Sequence, residues 1–180
     1  MVYVIFGVSC SGKTTIGKKI SIKLRIPFYD ADDFHSNTNI EKMRTGVPLE
    51  DLDRLGWLQK IVLKINESNK NNGAIFACSA LKEKYREILS DSYKKEVKFI
   101  FLKIDKSEVA KRLKIRKNHF FPIGLLDNQF EILENPSNAI KVNASNDIDL
   151  VCEEIYTQIL WHHCFDFFHY DIYAFINFVC

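Results

Sequence analysis

Apolar residues fall along this chain in blocks whose spacing changes from continuous to helical and back. Val2-Tyr3-Val4-Ile5-Phe6 is an uninterrupted apolar run of β-branched and aromatic residues, the pattern of a strand buried on both faces. Ile16, Ile20 and Leu24 then recur at helical spacing. Residues 27–29 read as a second short strand, and residues 39–44 as a helical turn that Gly46 and Pro48 bring to an end. Leu58, Ile61, Val62 and Ile65 mark one face of a helix, and the Asn- and Lys-rich tract 66–73 reads as a polar connection. Residues 74–79 form a third strand, and Leu81, Tyr85 and Ile88 give the next helix its apolar face, with Lys82 and Arg86 on another. A fourth strand spans 97–104, followed by a helix with Ser107 as its N-cap and Val109 and Leu113 facing inward. Residues 116–125 lack helical period and predict a mobile loop, before a helix at 126–133, a weak fifth strand at 139–142 and a last helix at 148–160.

Five strands alternating with helices predict an α/β fold: a five-stranded parallel sheet flanked by helices, with right-handed crossovers. At 180 residues the chain suits one domain, taken as residues 1–160, with an aromatic-rich tail at 161–180. Asp166, Asp171 and three histidines interrupt that tail, which makes it a poor membrane span. His162, His163, Cys164 and His169 have no second ligand pair at zinc-site spacing.

Charge and cysteines narrow the class. A net charge of +2, with Lys and Arg scattered among acids, implies no nucleic-acid partner, although residues 111–117 are locally basic. Five cysteines without a Cys-x-x-Cys pair suit reduced thiols. The first strand begins at residue 2, which leaves no room for a secretory segment, so a cytoplasmic protein is expected.

The chemistry concentrates where the first strand ends. Gly7-Val8-Ser9-Cys10-Ser11-Gly12-Lys13-Thr14 fits the phosphate-binding loop pattern and joins a strand to a helix, the context that motif requires. Small residues let backbone N–H groups turn toward a polyphosphate at a helix start. Lys13 supplies a point charge, Thr14 a hydroxyl for magnesium, and Thr15 completes the nucleotide-binding stretch. Cys10 occupies a position where many such loops carry glycine, so its side chain is expected to point away from the phosphates. Asp30, Asp32 and Asp33 end the second strand; they read either as a solvated turn with capping acids or as part of a site at the carboxyl edge of the sheet.

With these residues in view, the chain resembles the gluconokinases, small P-loop carbohydrate kinases. The resemblance covers roughly residues 3–160 and rests on several blocks besides the loop. These are Phe28-Tyr29-Asp30-Ala31-Asp32-Asp33-Phe34-His35, Lys42-Met43, Gly46-Val47-Pro48-Leu49, Asp53-Arg54, Trp57-Leu58, Ala77-Cys78-Ser79-Ala80-Leu81-Lys82, Tyr85-Arg86, His119-Phe120 and Gln129-Phe130. It departs from the family at Leu55-Gly56, where Trp-Pro is frequent, at Asn128 in place of serine, at Cys10, and in the tail.

The resemblance implies a sheet in order 2-3-1-4-5, a closing lid at about residues 116–125, and transfer of the ATP γ-phosphoryl group to D-gluconate. The product would be 6-phosphogluconate, which feeds the pentose phosphate pathway. In that reading Lys13, Asp32 and Arg116 carry the chemistry, with Asp32 as the base that takes the hydroxyl proton or as an anchor for that hydroxyl. Thr14 and Asp30 serve magnesium, and Arg112 and Arg116 close over ATP. Arg54 or Arg86 grips the carboxylate, while His35, Lys42, His119 and Gln129 contact substrate. The family is often dimeric, so the resemblance keeps a homodimer open. Two other readings stay open: a different small-molecule kinase, for shikimate or a nucleotide, and a catalytically silent nucleotide-binding module.

Overall fold

The computed structural model describes residues 1–90, 97–115 and 123–162. Their elements run β1 (Val2–Phe6), α1 (Lys13–Leu24), β2 (Phe28–Asp30), a 3₁₀ turn (Ala31–Phe34), α2 (Asn37–Arg44), α3 (Asp51–Lys70), β3 (Ala74–Cys78), α4 (Glu83–Ser90), β4 (Val97–Lys103), α5 (Lys106–Ile115), α6 (Ile123–Ile132), β5 (Ile140–Asn143) and α7 (148–162). All pairings in the five-stranded sheet are parallel, in the order β2-β3-β1-β4-β5. Phe6 is in register with Cys78 on one side and Phe101 on the other, so the loops that follow these strands open on one edge.

Strand β1 shows why this chain makes a doubly covered sheet. Tyr3 and Ile5 enter one apolar cluster, with Ile16 and Ile20 of α1, Val109 of α5, Leu126 of α6 and Ile155 of α7. Val2, Val4 and Phe6 enter the other, with Trp57, Leu58, Ile61 and Ile65 of α3 and Tyr85 and Leu89 of α4. Each fully buried Ile or Phe is worth about 1.5–3 kcal/mol relative to exposure, enough to fix the strand's register against both helical layers.

Several boundaries differ from the sequence reading for identifiable reasons. Helix α3 runs on to Lys70, through most of the tract expected to be a polar connection. Ser68 is buried and its hydroxyl donates to the Lys64 carbonyl at 2.8 Å, while Lys64 pairs with Glu67 at 2.9 Å. Helix α5 starts at Lys106, with the Asp105 carbonyl accepting its first bonds, so Ser107 lies inside the helix rather than capping it. Residues 123–125, expected in the loop, already belong to α6. The remainder of that loop and most of the tail, including His163, Cys164 and His169, lie outside the described residues.

The start of α3 is braced from two sides. Glu50 and Asp53 form a reciprocal capping box, and buried Asn39 of α2 donates to the Asp53 carbonyl at 2.8 Å. Asp51 accepts from Lys82, Lys84 and Tyr85. Those donors, Lys84 foremost, hold its carboxyl well below the usual carboxylate range. Together these contacts fix α2 and the Arg54 end of α3 over the carboxyl edge of the sheet. No helix among the described residues is long and apolar enough to cross a membrane.

Candidate active site

The phosphate loop is built on two glycines with backbone conformations that other residues rarely adopt. Gly7 has φ 147°, and a Cβ there would stand 2.9 Å from the Leu102 carbonyl oxygen. Gly12, with φ 103°, caps α1. Cys10 takes the left-handed region at φ 61°, and its half-buried side chain packs against the apolar cluster around Ile5 and Ile16. Among the described cysteines, Cys10, Cys78 and Cys152 form no disulfide.

Lys13 folds back into this loop and donates to the carbonyls of Gly7 at 3.0 Å and Val8 at 2.9 Å. Burial lowers its pKa, and the opposing charge of Asp32, then of Cys78 and Asp30, works the other way. The Thr14 hydroxyl donates to Asp30 Oδ2 at 2.8 Å, and Asp30 Oδ1 accepts from the Asp32 N–H at 3.2 Å. Asp30 and Asp32 are brought here because β2 pairs with β3, setting Asp30 level with Ala77.

Two cavities meet at this point. One, of about 560 Å³, is lined by Ser9, Lys13, Asp32, His35, Arg44, Arg54, Ser79, Asn128 and Gln129, with Ile40, Met43, Pro48, Leu49 and Leu125 forming apolar wall. The other, of about 380 Å³, is a groove bounded by Cys10, Gly12, Lys13, Thr14, Thr15, Arg112, Ile115 and Ile148. Among the described residues Lys13 alone borders both. A phosphoryl group passing from groove to cavity would therefore pass the Lys13 ammonium.

Within the larger cavity, His35 stacks on Trp57 with ring centroids 4.6 Å apart and planes 7° apart. Trp57 is itself held by a bond from Nε1 to the Ala31 carbonyl at 2.7 Å. Burial, then the charges of Arg54 and Lys60, push the His35 pKa down to about 4, so the ring is neutral at physiological pH. Its Nδ1 is buried without a partner. Arg54 donates through Nη2 to the Leu49 carbonyl at 3.0 Å, and its Nε has no partner. Gln129 reaches the phosphate loop itself: the Ser9 N–H donates to Oε1 at 2.6 Å, and Nε2 donates to the Ser9 hydroxyl at 3.0 Å.

Not every site residue read from the sequence borders these two cavities. Arg86 is buried and does not border the cavity. Its guanidinium donates to the carbonyls of Ala80, Leu81 and Glu134 at 2.8, 2.9 and 3.1 Å, lies 5.0 Å over the Phe6 ring, and pairs with Glu83. Lys42 pairs with Asp53 at 2.7 Å and likewise does not border the cavity. Arg112 donates to the Ala144 carbonyl at 2.6 Å beside the groove. Arg116 and His119 lie outside the described residues. Residues to which the sequence reading gave no site role are Ser79, Arg44, Ile40 and Met43 in the cavity and Ile115 and Ile148 in the groove.

A family model described as shikimate kinase matches residues 9–146. The "Probable gluconokinase" of Dictyostelium discoideum is 44% identical over 172 residues, covering 88% of this chain and 86% of that protein. The chain belongs to the gluconokinase family. The "Thermosensitive gluconokinase" of Escherichia coli is 37% identical over 167 residues, with 88% and 87% covered. The crystal structure of a gluconokinase from Sinorhizobium meliloti superposes with a TM-score of 0.86 at 32% identity, covering 93% of this chain and 96% of that one. Within this gluconokinase chain, the family departures at Leu55 and Gly56 sit on the exposed side of α3, where a Cβ on Gly56 would meet nothing within 4 Å. The departure at Asn128, by contrast, borders the cavity.

Proposed function

We propose that this protein is a cytoplasmic kinase that transfers the γ-phosphoryl group of ATP to the primary hydroxyl of D-gluconate, giving 6-phosphogluconate. The observation that carries the reading is the junction of a phosphate-loop groove with a cavity of mixed polarity at Lys13. The groove suits a nucleotide: loop amides and the α1 N-terminus for phosphates, and Ile115 and Ile148 as apolar walls for a base. The cavity suits a sugar acid. Arg54 and neutral His35 both line it, a charged donor for a carboxylate and an imidazole for hydroxyls.

Phosphoryl transfer needs positioning and charge neutralisation more than covalent chemistry by the protein. In this reading Lys13 leaves the Gly7 and Val8 carbonyls for the β- and γ-phosphates. Asp32, which also lines the cavity, orients the attacking hydroxyl and accepts its proton. The oxygens of Thr14 and Asp30 fit a hard cation that takes oxygen ligands. Magnesium, when bound, would supply neutralisation of the phosphate charge there.

A substrate panel tests the assignment: ATP with gluconate, other sugar acids, shikimate and nucleoside monophosphates, read as ADP release. Gluconate is expected to be turned over fastest. Shikimate or a nucleotide turned over while gluconate is left untouched would reassign the cavity, and ATP binding with no turnover of any acceptor would make this a silent nucleotide-binding module.

A further inference from the structure

The two bonds between Gln129 and Ser9 join parts of the chain 120 residues apart and engage a phosphate-loop amide. Helix α6, which carries Gln129, is anchored by buried Leu125 and Leu126, by Phe130 against the core, and by the Lys106–Asp127 ion pair at 2.9 Å. The backbone ends of the contact are therefore fixed, and the Gln129 carboxamide, on its rotatable side chain, is the member free to move. Ser9 and Gln129 both border the cavity side of the Lys13 junction, not the groove side. That is the side on which the terminal phosphate of a nucleotide would emerge.

We propose that Gln129 is a positioning residue that couples the two substrates: its carboxamide and the terminal phosphate compete for the Ser9 N–H, and displacement turns the carboxamide toward the sugar acid. The proposal rests on the nucleotide seat described above and goes beyond it, because it makes the two binding events interdependent. One N–H serves one strong acceptor. A phosphate oxygen is a charged acceptor whose hydrogen bonds are about twice as strong as neutral ones, so the triphosphate wins the exchange. ADP has no phosphate to reach Ser9 and leaves the contact intact. The released carboxamide has two N–H donors and an acceptor oxygen to offer, and it borders the cavity beside Asn128 and Ser79. By linkage, the sugar acid must strengthen triphosphate binding by the same factor that the triphosphate strengthens its own.

The test is calorimetric titration of the full chain with a non-hydrolysable ATP analogue, ADP and gluconate, singly and together, for wild type and Gln129→Leu. Wild type is expected to bind gluconate about two- to tenfold tighter with the ATP analogue present than with ADP, the span of one neutral hydrogen bond. Gln129→Leu should bind the analogue tighter than wild type by a similar factor, bind ADP unchanged, and show no nucleotide effect on gluconate. Ser9→Ala keeps the amide and removes only the hydroxyl that accepts from Nε2, so it guards against a folding defect in the leucine variant. It too should bind the analogue tighter and ADP unchanged. Unchanged analogue affinity in both variants, or equal gains for ADP and analogue, overturns the coupling while leaving the nucleotide seat intact. Failure of wild type to bind either nucleotide would overturn the seat itself.

Discussion

Replacing Asp32 by Asn is expected to lower kcat by about 10²- to 10⁴-fold, the usual contribution of a positioned general base. Asparagine keeps the size and the hydrogen-bonding reach of the side chain but has no basic oxygen to take the proton. Nucleotide affinity should stay near wild type, because Asp32 borders the cavity and not the groove. Removing its charge also relieves the main pull that opposes burial at Lys13, so the lysine pKa should fall further. The check pairs steady-state ADP release with binding of a non-hydrolysable ATP analogue. Turnover close to wild type would leave Asp32 with no more than an anchoring role.

The second large effect is on stability. Arg86→Met should destabilise the fold by about 2–4 kcal/mol, because the carbonyls of Ala80, Leu81 and Glu134 lose their donor in a buried setting. For a domain of this size that corresponds to a Tm lower by roughly 5–15 °C. The 79–81 turn should also loosen, since Ala80 sits at φ 34° and Arg86 clamps it from below. Thermal unfolding and gluconate KM, measured together, separate the possibilities. A large Tm loss supports the clamp. An unchanged Tm with a sharply raised KM would restore Arg86 as a carboxylate ligand.

Arg86 also shows what a sequence conceals. Beside Lys82 it looks like one polar residue of a solvated helix face, yet it shares its side of α4 with buried Tyr85 and Leu89. That spacing was visible, but the carbonyls it serves come from a turn and from Glu134, 48 residues away. The Lys42–Asp53 pair is hidden for the same reason, being set by how α2 lies against the capped start of α3. The Asn-rich end of α3 misleads through propensity, which burial of Ile65 and Ser68 overrides.

Local patterns, in contrast, were legible. The phosphate loop follows from spacing and its strand-to-helix setting. The acids after β2 could be brought to it by any parallel neighbour that aligned the strand ends. The apolar runs of β1, β3 and β4 needed no tertiary information. The cavity walls at Ile40, Met43, Arg44 and Ser79 were not legible, because they depend on α2 folding over the sheet edge and on the strained turn after β3.

The most direct measurement is a crystal structure of the full chain with gluconate and a non-hydrolysable ATP analogue. The expected result has the terminal phosphate held by Lys13 at the junction, the sugar acid in the cavity beside Arg54 and His35, and its primary hydroxyl within hydrogen-bonding reach of Asp32. Gluconate bound elsewhere, or its primary hydroxyl out of reach of both Asp32 and that phosphate, would contradict transfer across Lys13.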